Sequence, residues 1–233
     1  MSSQYGMPAA SMPVAYASVE ERADFITKTY MHLFGAMIAF TLIEVYLFTS
    51  GLADVIAGAL LGVGWWVVLG GFMVVGWFAS RTAMRATSAA SQYGALAAFV
   101  VAEAIIFVPM LYYAMAYAPT AINSAAIVTL LGFAALTAVA FTTRKDFSFL
   151  GGLLRWGFIC ALILIGASFI FGFQLGTFFS VGMIAFAGGA ILYDTSNVLH
   201  HYPQDRHVAA ALSLFASVAL MFWYVLQLFL SRD

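Results

Sequence analysis

The stretch Val208–Leu230, VAAALSLFASVALMFWYVLQLFL, decides the fold class. It runs without a single charged side chain, and at 1.5 Å per residue it forms a helix long enough to cross a hydrocarbon core of about 30 Å. Ser213, Ser217, Tyr224 and Gln227 recur at helical spacing and gather into one polar stripe. Lipid tails offer nothing for such a stripe to bond, so this span is expected to be buried within a bundle of other helices.

Working outward from that segment, six more apolar runs precede it. They lie at about 29–49, 55–79, 92–114, 121–141, 153–172 and 177–199, with the last span at 208–230. The breaks between them carry turn or charge signals: Thr49-Ser50-Gly51, Ser80-Arg81 onward to Gln92, Tyr117-Ala118-Pro119, Thr142 to Asp146, Gly172 to Gly176, and His200 to His207. The fold class implied is an all-α membrane protein with seven transmembrane helices. No internal repeat suggests an inverted-repeat transporter.

Composition agrees. Of 233 residues 64% are hydrophobic and 8% charged, against about 25% charged in a soluble domain, and the mean hydropathy is +0.99. A net charge of -1 provides no basic face for nucleic acid. The single cysteine, Cys160, has no partner for a disulfide and cannot form a thiolate metal cluster.

The lysines and arginines orient the chain. With the N-terminus in the cytoplasm, the inside segments hold Arg22, Lys28, Arg81, Arg85, Arg144, Lys145, Arg155 and Arg206, and only Arg232 falls outside. That asymmetry is the positive-inside pattern, and it places the C-terminus on the periplasmic or extracellular face. Residues 1–24 are small and polar, lack the basic start and apolar segment of a signal peptide, and read as a disordered cytoplasmic tail. The seven-helix domain then covers residues 25–233. Ser18 and Glu21 stand in capping-box spacing at the junction.

Three carboxylic acids fall inside the spans: Glu44 in the first, Glu103 in the third and Asp194 in the sixth. An ionised acid at mid-membrane costs about 2.5–3.5 kcal/mol on insertion scales, so each should face a cavity, a partner charge or the bundle interior. Asp194 lies five residues before Leu199, roughly 7–8 Å from the cytoplasmic end of its helix, where Arg155, Arg81 or Arg85 could pair with it. Ala187, Ala190, Asp194 and Asn197 share one face, suited to close helix contact. The bland alternative for all three acids is hydrogen-bonding glue between helices.

Other signals are weaker. His200, His201, Asp205 and His207 match no zinc spacing and read as a solvated loop. Gly58 and Gly62 form a G-x-x-x-G pair expected to serve helix packing, with no lysine following to make a phosphate loop. Tyr193-Asp194 supplies half of an aspartyl dyad, but the last span offers serines rather than the second carboxylate that proteolysis requires. No cofactor is implied.

The segments Thr142-Thr143-Arg144-Lys145-Asp146-Phe147-Ser148-Phe149-Leu150-Gly151-Gly152 and Gly189-Ala190-Ile191-Leu192-Tyr193-Asp194-Thr195-Ser196-Asn197 resemble the Bax inhibitor family of seven-helix membrane proteins. The resemblance covers nearly the whole chain and is strongest to the bacterial YccA-type branch, which the ending Phe229-Leu230-Ser231-Arg232-Asp233 also resembles. It implies six helices packed around a central C-terminal one. In the family's calcium-leak members an aspartate of the sixth span pairs with one of the seventh and protonation gates flux. Asp194 matches the first, while Ser217 stands where the second would be. The YccA-type branch implies instead a non-enzymatic protein of the bacterial inner membrane that modulates the AAA protease FtsH as slow substrate or inhibitor. The leading expectation is therefore an FtsH modulator. The alternative is a pH-sensitive calcium or cation leak with Asp194 as proton sensor and possible calcium ligand, alongside Arg81, Arg155, Ser213 and Ser217.

Overall fold

The computed structural model describes residues 12–86 and 88–231, apart from the side chains of Trp65 and Trp66. Residues 1–11 of the tail, Arg232 and Asp233 lie outside the described residues. Among the described residues, eight α-helices follow a short 3-10 turn at Val14–Tyr16: α1 Val19–Thr49, α2 Leu52–Val63, α3 Trp65–Arg85, α4 Ala89–Tyr117, α5 Pro119–Thr143, α6 Leu150–Phe171, α7 Thr177–His200 and α8 His207–Leu230. All but α2 contain a stretch long and apolar enough to cross a bilayer, giving seven candidate spans.

Helix α1 starts ten residues before the apolar run begins. The Ser18 hydroxyl accepts from the Glu21 amide while the Glu21 carboxylate accepts from the Ser18 amide, so the capping box forms on both sides. Ahead of it Val14 is fully buried, and its N–H donates to the carbonyl of Tyr202 at 2.9 Å. The chain is thus fastened to the bundle from Pro13 onward, whose backbone pairs with Pro203.

The expected second span, 55–79, is two helices. Gly64 sits at φ 85°, a conformation that side chains with a Cβ rarely adopt, and breaks the run into α2 of 12 residues and α3. The membrane-crossing part is Val67–Arg85, so Arg81 lies inside a helix and not in a connection. Hydropathy passed over this break because the residues on both sides of Gly64 are apolar. Gly58 and Gly62 of α2 are exposed, and an added Cβ at either would meet nothing within 4 Å. The G-x-x-x-G pair therefore makes no close helix contact, contrary to its expected packing role.

Helix α8 packs against α1, α3, α4, α5 and α7, whereas α6 packs against α7 alone. Burial follows the same order: 72% of the most apolar window of α8 is enclosed, against 6% in α6. Helices α7 and α8 pack closely and both bury small residues, Ala187 and Gly188 on one and Ala209, Ala210 and Ala211 on the other. In lipid, where burial of apolar surface between helices gains little, such close approach supplies the packing energy. Aromatic contacts fill the other side of α8, with Phe107 of α4 stacked on Phe222 and set edge-on to Trp223.

Candidate functional site

The polar residues of α7 and α8 meet near the end of the bundle where the chain enters. Asp194, 9% exposed on α7, accepts a hydrogen bond of 2.5 Å from the hydroxyl of Ser217, itself 7% exposed on α8. One turn of α8 nearer the entry end, Ser213 bonds the hydroxyl of Tyr202 at 2.9 Å. Tyr202 belongs to the α7–α8 connection. Burial, reinforced by the neighbouring Asp194, pushes its hydroxyl far above the usual phenol range, so it stays protonated and can donate inward. The backbone of the same residue holds Val14, and its ring lies 6.5 Å from that of Phe25. Tyr202 thus joins the chain's entry, the first helix and the two polar helices.

Two arginines close this end through backbone carbonyls. Arg22 donates to the carbonyl of Leu199 at 2.9 Å, capping the end of α7, and Arg206 donates to the carbonyl of Ala86 just after α3. A third fastening comes from the α5–α6 connection. Asp146 accepts from the Ser148 amide at 2.8 Å, from His201 at 2.9 Å and, at 3.4 Å, from the hydroxyl of Ser196. The hydroxyl of Ser196 in turn accepts from the Phe147 amide. These donors, led by the Ser148 amide, hold the Asp146 carboxyl at about 2, below its ordinary 3.8.

The profile described as inhibitor of apoptosis-promoting Bax1 matches residues 22–233. The chain belongs to the Bax inhibitor family. Among its relatives, an uncharacterized protein of Pseudomonas aeruginosa is 35% identical over 122 residues, covering 51% of this chain and 54% of that protein. The modulator of FtsH protease YccA of Escherichia coli strain K12 is 37% identical over 108 residues, 45% of this chain and 49% of the relative. Bax inhibitor 1 of Schizosaccharomyces pombe is 35% identical over 113 residues, 46% and 41% respectively. The matches thus span about half the length of these curated relatives.

Within this Bax inhibitor fold, the residues singled out from sequence do not form one site. Asp194 and Ser217 come together directly, while Ser213 bonds Tyr202, whose hydroxyl lies close enough to Asp194 to feel its charge. The expected arginine partners do not: among the described residues the ion pairs are Lys28 with Asp24, His201 with Asp146 and Arg206 with Asp205. Arg81 is exposed, its guanidinium 5.1 Å from the centre of the Trp77 ring, and Arg155 is exposed near the start of α6. Glu103 is buried midway along α4, and Glu44 is buried toward the far end of α1. Neither shares a site with Asp194. Among the described residues no three His, Cys, Asp or Glu side chains converge. Calcium takes six to eight oxygens, and Asp194 with Ser217 supplies only the beginning of such a shell.

Sequence reasoning missed Tyr202 and the pairing of Asp146 with His201. Both sit in connections, where spacing carries no periodic signal, and their partners are 11 and 55 residues away. The burial of an aromatic residue beside Pro203 is visible only once Val14 is seen folded against it.

Proposed function

We propose that this protein restrains an FtsH-type membrane protease, with the end of the bundle that carries Arg22, Arg206 and Tyr202 facing the cytoplasm. The observation that carries this reading is the 37% identity to the modulator of FtsH protease YccA over 108 residues. Geometry adds a mechanism. A protease that draws in polypeptide from the cytoplasm would take hold of residues 1–11 and then meet the anchor at Pro13–Val14, where each further step requires pulling a fully buried valine and its backbone bond off Tyr202. Behind that anchor lies a helix of 31 residues capped on both sides of Ser18. A chain that is gripped but resists extraction occupies the protease and slows its turnover of other substrates. The bundle needs no catalytic group for this task.

The test is deletion of residues 2–11, which leaves the Val14 anchor intact. The shortened protein should no longer co-purify with FtsH, and degradation of a reporter membrane substrate should return to its rate without the modulator. Unchanged association and unchanged inhibition refute the reading. A complementary variant, Val14→Asp, weakens the anchor and should convert the protein from inhibitor to rapidly degraded substrate.

A second reading, a proton-sensitive calcium or cation leak, is favoured by one observation: the buried Asp194 carboxyl is bonded to Ser217 one helical turn deeper in the bundle than the Ser213–Tyr202 bond. Protonation or loss of its bond to Ser217 would loosen α7 from α8. Calcium flux through reconstituted liposomes should then vary with pH and change in Asp194→Asn. Flux indistinguishable from protein-free vesicles at every pH eliminates this reading.

A further inference from the structure

On the side of the bundle away from the Asp194 pair, α1, α4, α5 and α8 enclose a cavity of about 560 Å3. No Cα of α1 comes within 8 Å of α5. Nearer the entry end their side chains still meet, Tyr30 lying against Phe133 and Phe141. Toward the other end the gap stays open. Its mouth is framed by Val45, Met115 and Leu130, all exposed, so it faces sideways toward the bilayer. The walls are apolar, built largely by Phe48, Leu111, Ile122 and Phe222. The volume lies within the range of about 300–1,000 Å3 typical of small-molecule sites.

Into this apolar space Glu44 projects, 7% exposed, with neither carboxyl oxygen hydrogen-bonded. The hydroxyl of Thr129, across on α5, is also buried and unpartnered, although it lines the same cavity. A carboxyl group enclosed without a donor carries a desolvation cost that a bundle with no use for it would shed by replacing it with leucine. Asn123 is the one amide among the lining residues and none of them is basic, so no cation of the lining balances the Glu44 carboxyl. Glu44 lies five residues before the end of α1, about 7–8 Å along the helix axis. An amphiphile anchored at that membrane surface would have its polar group at this depth and its alkyl chain in the cavity.

We propose that this cavity binds a membrane amphiphile with a single alkyl chain ending in an amine, the ammonium pairing with Glu44 and donating a second bond to Thr129. An amine fits better than an alcohol because it can offer donors to both orphaned groups and, as a cation, balance the carboxylate where water is excluded. A fatty acid brings a second carboxyl that must share a proton with Glu44 and supplies no positive charge. This inference is independent of the protease and leak readings, since it concerns neither the entry end nor the Asp194 pair.

The experiment uses the full chain in phosphatidylcholine nanodiscs with a dodecylamine carrying a photoactivatable diazirine at mid-chain, alongside the matching dodecanol and dodecanoate probes. Adduct yield is read by intact-protein mass spectrometry and position by peptide mapping. The amine should label the segments containing Phe48, Met115 and Phe222. Unmodified dodecylamine should compete, dodecane should not, and Glu44→Gln should lower the yield about tenfold or more, the cost of losing a charge-assisted bond. Thr129→Val should lower it about threefold. Equal labelling by all three probes, adducts spread over the lipid-facing helices, or undiminished labelling of Glu44→Gln overturns the proposal. The mapping on the unaltered protein decides the matter even if a variant folds poorly.

Discussion

Replacing Ser217 by alanine removes one oxygen and leaves the Asp194 carboxyl, 9% exposed, without the donor that now stands 2.5 Å away. An enclosed polar group stripped of its partner costs about 1–3 kcal/mol, and the short bond to a carboxyl places this case near 2 kcal/mol. For a chain of this size each kcal/mol moves the midpoint by roughly 2–4 °C, so Ser217→Ala should lower Tm by about 4–8 °C. The control is Asp194→Leu combined with Ser217→Ala. Removing both polar groups leaves nothing unsatisfied, and the double variant should recover most of the loss, a coupling of about 2 kcal/mol across the cycle. Unfolding can be followed in mixed detergent micelles by circular dichroism, or by a thiol-reactive dye, because Cys160 is the chain's one cysteine and is half-buried on α6. A coupling below about 0.5 kcal/mol, with single-variant effects that simply add, would refute the view that this bond joins α7 to α8.

Three further outcomes are expected. The Asp146 carboxyl, held at about 2 instead of 3.8, contributes stability that is present above pH about 4 and lost as pH falls toward 2. Since the side chain is 47% exposed, screening limits that contribution to less than about 1 kcal/mol, so Asp146→Asn should be slightly less stable at pH 6 and match the parent near pH 2 in thermal scans. Gly151→Ala would place its Cβ 2.9 Å from the ring of Tyr193, and displacing that ring should cost about 1–3 kcal/mol and loosen α6 from α7, read as faster modification of Cys160. At Gly64, φ 85° with ψ 125°, outside the left-handed helical region, makes alanine costly by about 1–3 kcal/mol; a gain in stability for Gly64→Ala would mean that α2 and α3 form one continuous span.

The long apolar runs made the number of spans legible, because helix length against bilayer thickness leaves little freedom. The polar stripe on 208–230 also read correctly as the mark of an enclosed helix: α8 is the most buried span, and Ser213 and Ser217 both make bonds inside the bundle. The burial of Asp194 was foreseeable from its cost in lipid, but its partner was not. Counting basic residues in the same leaflet favoured an arginine, yet a long side chain there can reach carbonyls at helix ends instead, as Arg22 and Arg206 do. The break at Gly64 escaped notice because hydropathy sums side chains and is blind to φ. The cavity beside Glu44 was equally invisible, since it arises from a gap between two helices more than 70 residues apart in sequence.

The most enclosed helix comes after every helix it packs against in chain order. Until His207–Leu230 leaves the ribosome, the preceding helices surround a space that nothing fills, and the Asp194 carboxyl has no donor from α8. Closing this bundle therefore means inserting a core piece between partners that precede it in the chain, not adding an outer layer. A bundle lacking His207–Leu230 would present an open hollow to the bilayer with Asp194 on its wall, so α8 acts as the keystone that closes the helices before it.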